Sequence, residues 1–128
     1  MKRYYRKEVI MIVNDESRIN KISAKILDVD KEIIKIYIQG AVNAVCNYDN
    51  NSELSVRILF GGNYKNWSET PLQKIYDYHK YISGKTHEKA AQISSVDVGY
   101  LLKEVLSNDV KHNYRFVRFD TGKVYKLE

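Results

Sequence analysis

Hydrophobic and polar residues alternate along most of the first sixty positions, which is the period expected of strands with one solvated face. The alternation is clearest at Ile34, Ile36 and Ile38, with Lys35 and Tyr37 between them. Clusters of Asn, Asp and Ser separate the apolar stretches and are typical of turns. The pattern therefore predicts an antiparallel meander of four or five strands over residues 8–60. Its other strands are marked by residues 9–13, by Ile22, Ala24 and Ile26, by Val42, Ala44, Cys46 and Tyr48, and by Leu54, Val56, Ile58 and Phe60.

A helix across residues 33–48 is the competing interpretation of this half, because apolar residues are dense there. The alternation with period two favours strands, and Gly40 reads as a break between two of them.

The following stretch changes to a helical period. Thr70 is a suitable N-cap, Pro71 fits the first helical position, and Gly84 is a suitable stop. A second helix is predicted to begin at Thr86. A third is marked by residues at i, i+3, i+4 and i+7. The first helix has a buried stripe of Leu72, Ile75, Tyr76, His79 and Ile82, and the third has Val98, Leu101, Leu102 and Val105.

Only residues 94–97, Ser-Ser-Val-Asp, lie between the second and third predicted helices, which predicts a short turn there. Ala91, Ser95 and Leu101 have the alanine, small-residue and aliphatic spacing of a helix-turn-helix unit, and Val96 fills the apolar position in the turn. Over about a third of the chain the pattern resembles the helix-turn-helix class. That resemblance implies DNA binding through the third helix.

A second alternating stretch closes the chain. Aromatic and basic residues alternate over residues 114–119 and 123–126, on either side of Asp120-Thr121-Gly122, which predicts a hairpin. A hairpin directly after a third helix is where the wing of a winged helix lies. The expected fold is therefore α+β: an N-terminal antiparallel β-meander followed by a three-helix unit resembling a winged helix-turn-helix with a C-terminal β-hairpin. The expected parts are residues 1–62 and residues 63–128, together forming one compact domain.

Composition adds a mild basic bias and excludes several classes. The 128 residues carry a net charge of +5, with a pI of about 9.2, which permits an anionic partner without requiring one. Cys46 is the lone cysteine, so no disulfide framework is expected and the residue should pack in the core. No signal-length or membrane-spanning apolar run is present in the sequence, so the expectation is a cytoplasmic protein without membrane contact.

Catalytic and metal-binding motifs are absent from the sequence. His79, His87 and His112 have no metal-type spacing, and no phosphate loop, nucleophile elbow or dinucleotide fingerprint occurs. Neither an enzyme activity nor a metal or cofactor is expected.

The first functional hypothesis is a small DNA-binding protein, for example a regulator encoded by a phage or mobile element, acting as a homodimer or higher oligomer. The dimer is expected because a meander leaves unpaired outer strands. The acids Asp97 and Glu104, at expected exposed positions of the third helix, count against base reading there. The candidate residues for nucleic acid or another anionic ligand are basic or aromatic: Arg3, Arg6, Lys85, Tyr100, Lys103, Lys111, Arg115, Arg118 and Lys123.

The alternative hypothesis is a non-enzymatic binding or inhibitor protein. Such a protein would sequester a host protein or a nucleotide through a basic surface rich in tyrosine, of which the chain has eleven. The predicted strand-rich first half favours this alternative, because a minimal repressor does not need an additional strand-rich region. For the basic, tyrosine-containing residues 2–7, a phosphate-binding arm and a solvated or frayed terminus both stay open.

Overall fold

The computed structural model describes residues 20–48, 53–61, 67–112, 114–119 and 122–127. Four α-helices and a small antiparallel sheet make up this part of the chain. None of its helices has the length and apolar character needed to cross a membrane. In chain order the elements are α1 (Asp28–Tyr48), β1 (Glu53–Leu54), α2 (Val56–Phe60), α3 (Gln73–Asp77) continued by a π-helical turn (Tyr78–Ile82), α4 (His87–Ser107), β2 (Tyr114–Phe119) and β3 (Gly122–Leu127).

The predicted N-terminal meander is wrong, because its central strands are the helix α1. Ile34, Ile38 and Val42 are fully buried at intervals of four residues, whereas Ile36 is 71% exposed. A strand would place Ile34, Ile36 and Ile38 on one face, but a helix separates Ile36 from the other two. Asp28 and Asp30 in the first turn suit the positive end of the helix dipole.

The predicted strand over residues 54–60 is also wrong beyond Leu54. Ser55 caps α2, since its side chain accepts a hydrogen bond of 3.0 Å from the backbone N–H of Ile58. Gly61 ends the helix with a φ of 89°, in the left-handed region. Residues 20–27 contain no strand. The predicted strand over residues 9–13 lies outside the described residues.

A helical segment is present where the first of the three helices was expected, but α3 begins at Gln73, two residues after Pro71, and Thr70 is not its N-cap. Ile82, expected in the buried stripe, is 75% exposed. The hydroxyl of Thr70 donates to the carbonyl of Trp67 and accepts from the N–H of Leu72, so it organises the turn before α3. Gly84 was predicted to end this helix. It lies just after the π-helical turn and has a φ of 79°, in the left-handed region.

The second and third expected helices are a single helix, so the helix-turn-helix prediction is wrong. Thr86 caps α4 as expected, accepting from the N–H of Lys89 at 3.3 Å. The helix then runs without interruption through residues 94–97. That stretch contains neither Gly nor Pro, and Ser94 is fully buried in line with Ala90, Ala91 and Leu101. One continuous apolar face therefore carries the helix through the supposed turn.

The C-terminal alternation does form a hairpin. β2 and β3 pair antiparallel from Tyr114↔Leu127 to Phe119↔Gly122, and β1 pairs with the other side of β3. The sheet order is β1-β3-β2.

One hydrophobic core joins the helices to the sheet. It contains Ile38 from α1, Ile75 from α3, Leu101 from α4, Leu54 from β1 and Tyr125 from β3, all buried. Cys46 is buried in the same cluster, as expected, and so is Trp67, whose indole N–H donates to the carbonyl of Phe60 at 3.1 Å.

We expect Leu101→Ala to lower the free energy of unfolding by about 2–5 kcal/mol, because Leu101 is 1% exposed and its removal leaves a cavity. Val96→Ala on the same helix is the matched control, since Val96 is 47% exposed and should change the free energy by less than about 1 kcal/mol. Urea denaturation measures both. Equal losses in the two variants would contradict the assigned core face of α4.

Candidate nucleic-acid interface

Basic residues occupy paired positions in the register of the hairpin. The register pairs Arg115 with Lys126 and Arg118 with Lys123. Directly opposed residues of an antiparallel pair have Cβ atoms about 5 Å apart, and opposed like charges destabilise a hairpin. Lys126 also lies opposite Glu53 of β1, and its Nζ is 3.6 Å from a carboxylate oxygen of Glu53. Two rungs of the ladder thus pair basic residues, one on each face of the hairpin, and Glu53 lies beside the first of them.

Asp109 fixes the start of the hairpin against the helices. Its carboxylate accepts from the hydroxyl of Tyr114 at 2.6 Å and from the backbone N–H groups of Lys111 and His112 at 2.8 and 3.2 Å. The side-chain amide of Gln39 on α1 donates to it at 3.3 Å. One side chain therefore connects α1, the loop after α4 and the first residue of β2.

These hydrogen bonds shift the pKa values of the groups involved. Burial by itself would raise the pKa of Asp109, but the bonds from Tyr114, the Lys111 N–H, His112 and Gln39 outweigh it and lower that pKa from 3.8 to about 2. Burial and the Asp109 charge raise the pKa of Tyr114. Burial also raises the pKa of the Cys46 thiol, which makes the thiolate scarce and the residue a poor nucleophile.

The structure brings only part of the predicted site together. Lys111 is exposed in the loop before β2, directly ahead of Arg115, Arg118 and Lys123 in the hairpin. Lys85 precedes α4, whose 21 residues separate it from that loop by about 30 Å along the helix axis. Its ammonium group donates to the hydroxyl of Ser83 at 2.6 Å. Arg3 and Arg6 lie outside the described residues.

Tyr100 and Lys103 lie on α4 and are partly buried, but the face expected to read DNA is used for packing. Asp97 is 1% exposed, which corrects its expected exposure on a recognition helix. A Cβ on Gly99 would lie 3.7 Å from Val56 of α2, and Glu104 accepts from Lys35 of α1 at 2.9 Å. Since other parts of the chain occupy this face of α4, the helix is not placed as a reading helix.

Asp97 is the centre of a buried polar network that the sequence analysis missed. Its carboxylate accepts from the backbone N–H groups of Ser23 and Ala24 at 2.8 and 3.1 Å, and from the hydroxyl of Ser23. Nε2 of His79, itself 1% exposed, lies 2.8 Å from Oδ2. The sequence could have indicated that Asp97 is buried, because Asp97 lies three residues after Ser94 and four before Leu101. This spacing places it on the apolar face of a continuous helix. A buried carboxylate needs such partners.

A serine, a histidine and an aspartate meet in this network, but not with the geometry of a catalytic triad. A triad uses both imidazole nitrogens, one toward the acid and one toward the serine. Here Nε2 of His79 faces both Asp97 and the Ser23 hydroxyl, at 2.8 and 3.5 Å, and Nδ1 has no hydrogen-bond partner among the described residues. The network is arranged to hold the chain together. Within the described ranges no group of His, Cys, Asp and Glu is placed to hold a metal ion.

We expect Asp97→Asn to destabilise the fold by about 3 kcal/mol, because the amide keeps the shape but offers one acceptor oxygen to several buried donors. Ser23→Ala is the matched control, since it removes one hydroxyl and leaves both backbone bonds, and should cost about 1 kcal/mol. Both are measured by urea denaturation. A loss for Asp97→Asn no larger than that of the control would show that the network contributes little.

The depressed pKa of Asp109 predicts a specific acid sensitivity. A carboxyl with a lower pKa in the folded state stabilises the fold above its unfolded pKa of 3.8, and this contribution is lost as the pH falls from about 4 toward 2. The shift corresponds to about 2 kcal/mol. Asp109→Asn should therefore show a shallower fall of unfolding free energy between pH 4 and pH 2. Glu88→Gln, which removes an exposed carboxylate of α4, should keep the steep fall. Identical curves for Asp109→Asn and the unmodified protein would contradict the assignment.

Comparison of the chain with protein-family models, curated proteins and solved structures gives no match, so its function has to be argued from its own residues.

Proposed function

We propose that this chain is a non-enzymatic nucleic-acid-binding protein that contacts phosphates through the β2-β3 hairpin. The observation that supports the proposal is the register, which opposes Arg115 to Lys126 and Arg118 to Lys123. Like charges in directly opposed positions cost stability in the free protein, and phosphates alongside one face of the hairpin relieve the repulsion of the pair on that face. The two pairs lie on opposite faces, because Arg115 and Arg118 are three residues apart on β2. Lys111, exposed just ahead of β2, extends the basic stretch.

The proposed contact does not read sequence. Because α4 is one continuous helix with its Asp97 and Glu104 side chains engaged inside the fold, we assign no base-reading helix. Phosphate contacts position a protein on nucleic acid and carry no sequence information directly. The function is therefore DNA binding of low sequence preference, through a hairpin that Asp109 holds at a fixed place on the helices.

The second candidate is a non-enzymatic binding or inhibitor protein that sequesters a protein or a nucleotide. The observation that favours it is an exposed aromatic and apolar patch at the end of the π-helical turn. Tyr81 and Ile82 are 71% and 75% exposed, and Nζ of Lys80 lies 5.6 Å from the centre of the Tyr81 ring. Exposed tyrosine beside lysine suits stacking on a base or contact with a protein surface.

Neutralising the hairpin should weaken binding to all DNA sequences alike. Arg118 is on the face of β2 that carries the buried Tyr114, whereas Arg115 is on the opposite face. We therefore expect Arg115→Gln to reduce affinity for duplex DNA and to make the slope of log K against log salt shallower by about one, and Arg118→Gln to have a smaller effect. Fluorescence anisotropy over a salt series with two unrelated duplexes measures both effects.

Lys89→Gln is the matched control for this experiment. It removes the same charge from an exposed position near the start of α4, at the end of that helix far from the hairpin, and should leave the salt slope unchanged. Unchanged DNA affinity in the double variant Arg115→Gln/Arg118→Gln would exclude the hairpin, and the second candidate would then be preferred.

A further inference from the structure

The imidazole of His112 is held in one orientation at the base of the hairpin. Its Nδ1 lies 3.1 Å from Oδ2 of Asp109, and the backbone N–H of His112 donates to Oδ1 of the same carboxylate at 3.2 Å. The ring of Tyr114, the first residue of β2, lies 6.1 Å away between ring centres. Because the backbone and the ring of His112 are both bonded to one carboxylate, the direction of the ring is fixed.

The carboxylate of Asp109 also determines which nitrogen of the neutral ring carries the proton. Its pKa is about 2, so at neutral pH the group is ionised and can only accept hydrogen bonds. Nδ1 of His112 is therefore the donor, and Nε2 keeps a lone pair. The His112 side chain is 25% exposed and that of Asp109 is 4% exposed, so the accessible edge of the ring is the one turned away from the carboxylate, where Nε2 lies. A second proton can enter the ring only there.

Titratable groups from three parts of the chain surround the ring. Asp109 and Lys111 belong to the same loop, Tyr114 begins β2, and the thiol of Cys46 on α1 lies beside the Tyr114 hydroxyl. The pKa values of Tyr114 and Cys46 are both raised, mainly by burial, so both groups stay neutral at physiological pH. Among the described residues, the charged groups beside His112 are thus one carboxylate, turned toward Nδ1, and one ammonium on the neighbouring residue.

We propose that His112 is a proton-dependent phosphate contact, in which Nε2–H of the protonated ring donates to a phosphate of the nucleic acid beside the exposed Lys111. The inference rests on the proposed function and adds a contact to the same hairpin. With a neutral ring, the charges of Asp109 and Lys111 offset each other within the loop. Protonation of His112 gives the loop one net positive charge and a new donor, so it favours an anionic partner.

The position of His112 in the chain suits a contact along one nucleic-acid backbone. Arg115 is three residues further on, so the two Cα atoms are at most about 11 Å apart. Successive phosphates of one strand rise by about 3.4 Å along the duplex axis, so a strand places several phosphates within that span. Lys111, His112 and Arg115 are therefore close enough to follow the same stretch of backbone.

Fluorescence anisotropy of the full chain with duplex DNA, at pH 8 and pH 5.5 over a salt series, tests the contact. Histidine ordinarily gains its charge between these values, whereas Asp109 stays ionised at both because its pKa is about 2. We expect an affinity about two- to fivefold higher at pH 5.5, which is the range of one solvent-accessible ion pair. The slope of log K against log salt should be steeper at pH 5.5 by about 0.9, the value for one added phosphate contact.

Three variants separate a phosphate contact from a structural role of the ring. His112→Asn keeps an amide N–H near the position of Nδ1 but has no second ring nitrogen, so the pH effect should vanish with little change in urea denaturation. His112→Lys has a permanent charge, so its affinity should be the same at both pH values and at pH 8 should exceed that of the unmodified chain. His87→Asn is the control, because it removes an exposed histidine at the start of α4, and it should keep the pH effect.

Long-range ¹H–¹⁵N NMR of the free chain at pH 8 should place the proton of His112 on Nδ1. A proton on Nε2 would overturn the proposal, because the neutral ring could then already donate to a phosphate. Equal affinities at the two pH values, or a pH effect that survives His112→Asn, would also overturn it. Arg115→Gln at pH 8 reports separately on the hairpin. No effect of that variant contradicts the proposed function, whereas weaker binding of that variant without a pH effect in the unmodified chain contradicts the His112 contact alone.

Discussion

The fold depends on the carboxylate of Asp97, which is buried and must be surrounded by donors. A buried carboxylate without partners is strongly unfavourable, and here three separate parts of the chain supply them. Ser23 and Ala24 come from the segment before α1, His79 comes from the π-helical turn, and Asp97 itself lies in the middle of α4. Because the donors are 18 to 74 residues away in sequence, satisfying this group fixes the residues just before α1 and the π-helical turn against α4 at once. Apolar packing by itself is less selective among such arrangements.

The period-two alternation of apolar residues was a poor guide to the secondary structure of the α1 region. Ile34 and Ile38 share a face in a helix and also in a strand, so their burial does not separate the two structures. The exposure of Ile36 does distinguish the helix from the strand, but tertiary packing sets that exposure and no local preference reveals it. Gly40 reads as a break in a strand, yet a helix tolerates glycine at modest cost where nothing crowds it. The choice between helix and strand therefore depended on one position whose environment the sequence does not show.

Residues 94–97 show the opposite case, in which local signals suggested a turn and the apolar stripe was the better guide. Ser94 is buried and Asp97 is bonded across the core, so neither ends the helix. Predictions that depended on one residue at a helix end were correct. Gly84 ends a helical segment, and Thr86 caps the next helix. The hairpin was predictable for the same reason, since its turn and its two alternating strands are adjacent in sequence. The basic residues of the hairpin were thus found together, whereas Lys85 was grouped with them although α4 separates the two.

Helix α1, which packs into the core through Ile34, Ile38 and Val42, also anchors the basic hairpin. Gln39 of α1 donates to Asp109, and Asp109 holds the hydroxyl of Tyr114 at the start of β2. A hairpin anchored in this way has a fixed position relative to α1. Because the anchor is a network of hydrogen bonds and not a flexible linker, the position of the hairpin is determined by the same packing that buries α1 and α4.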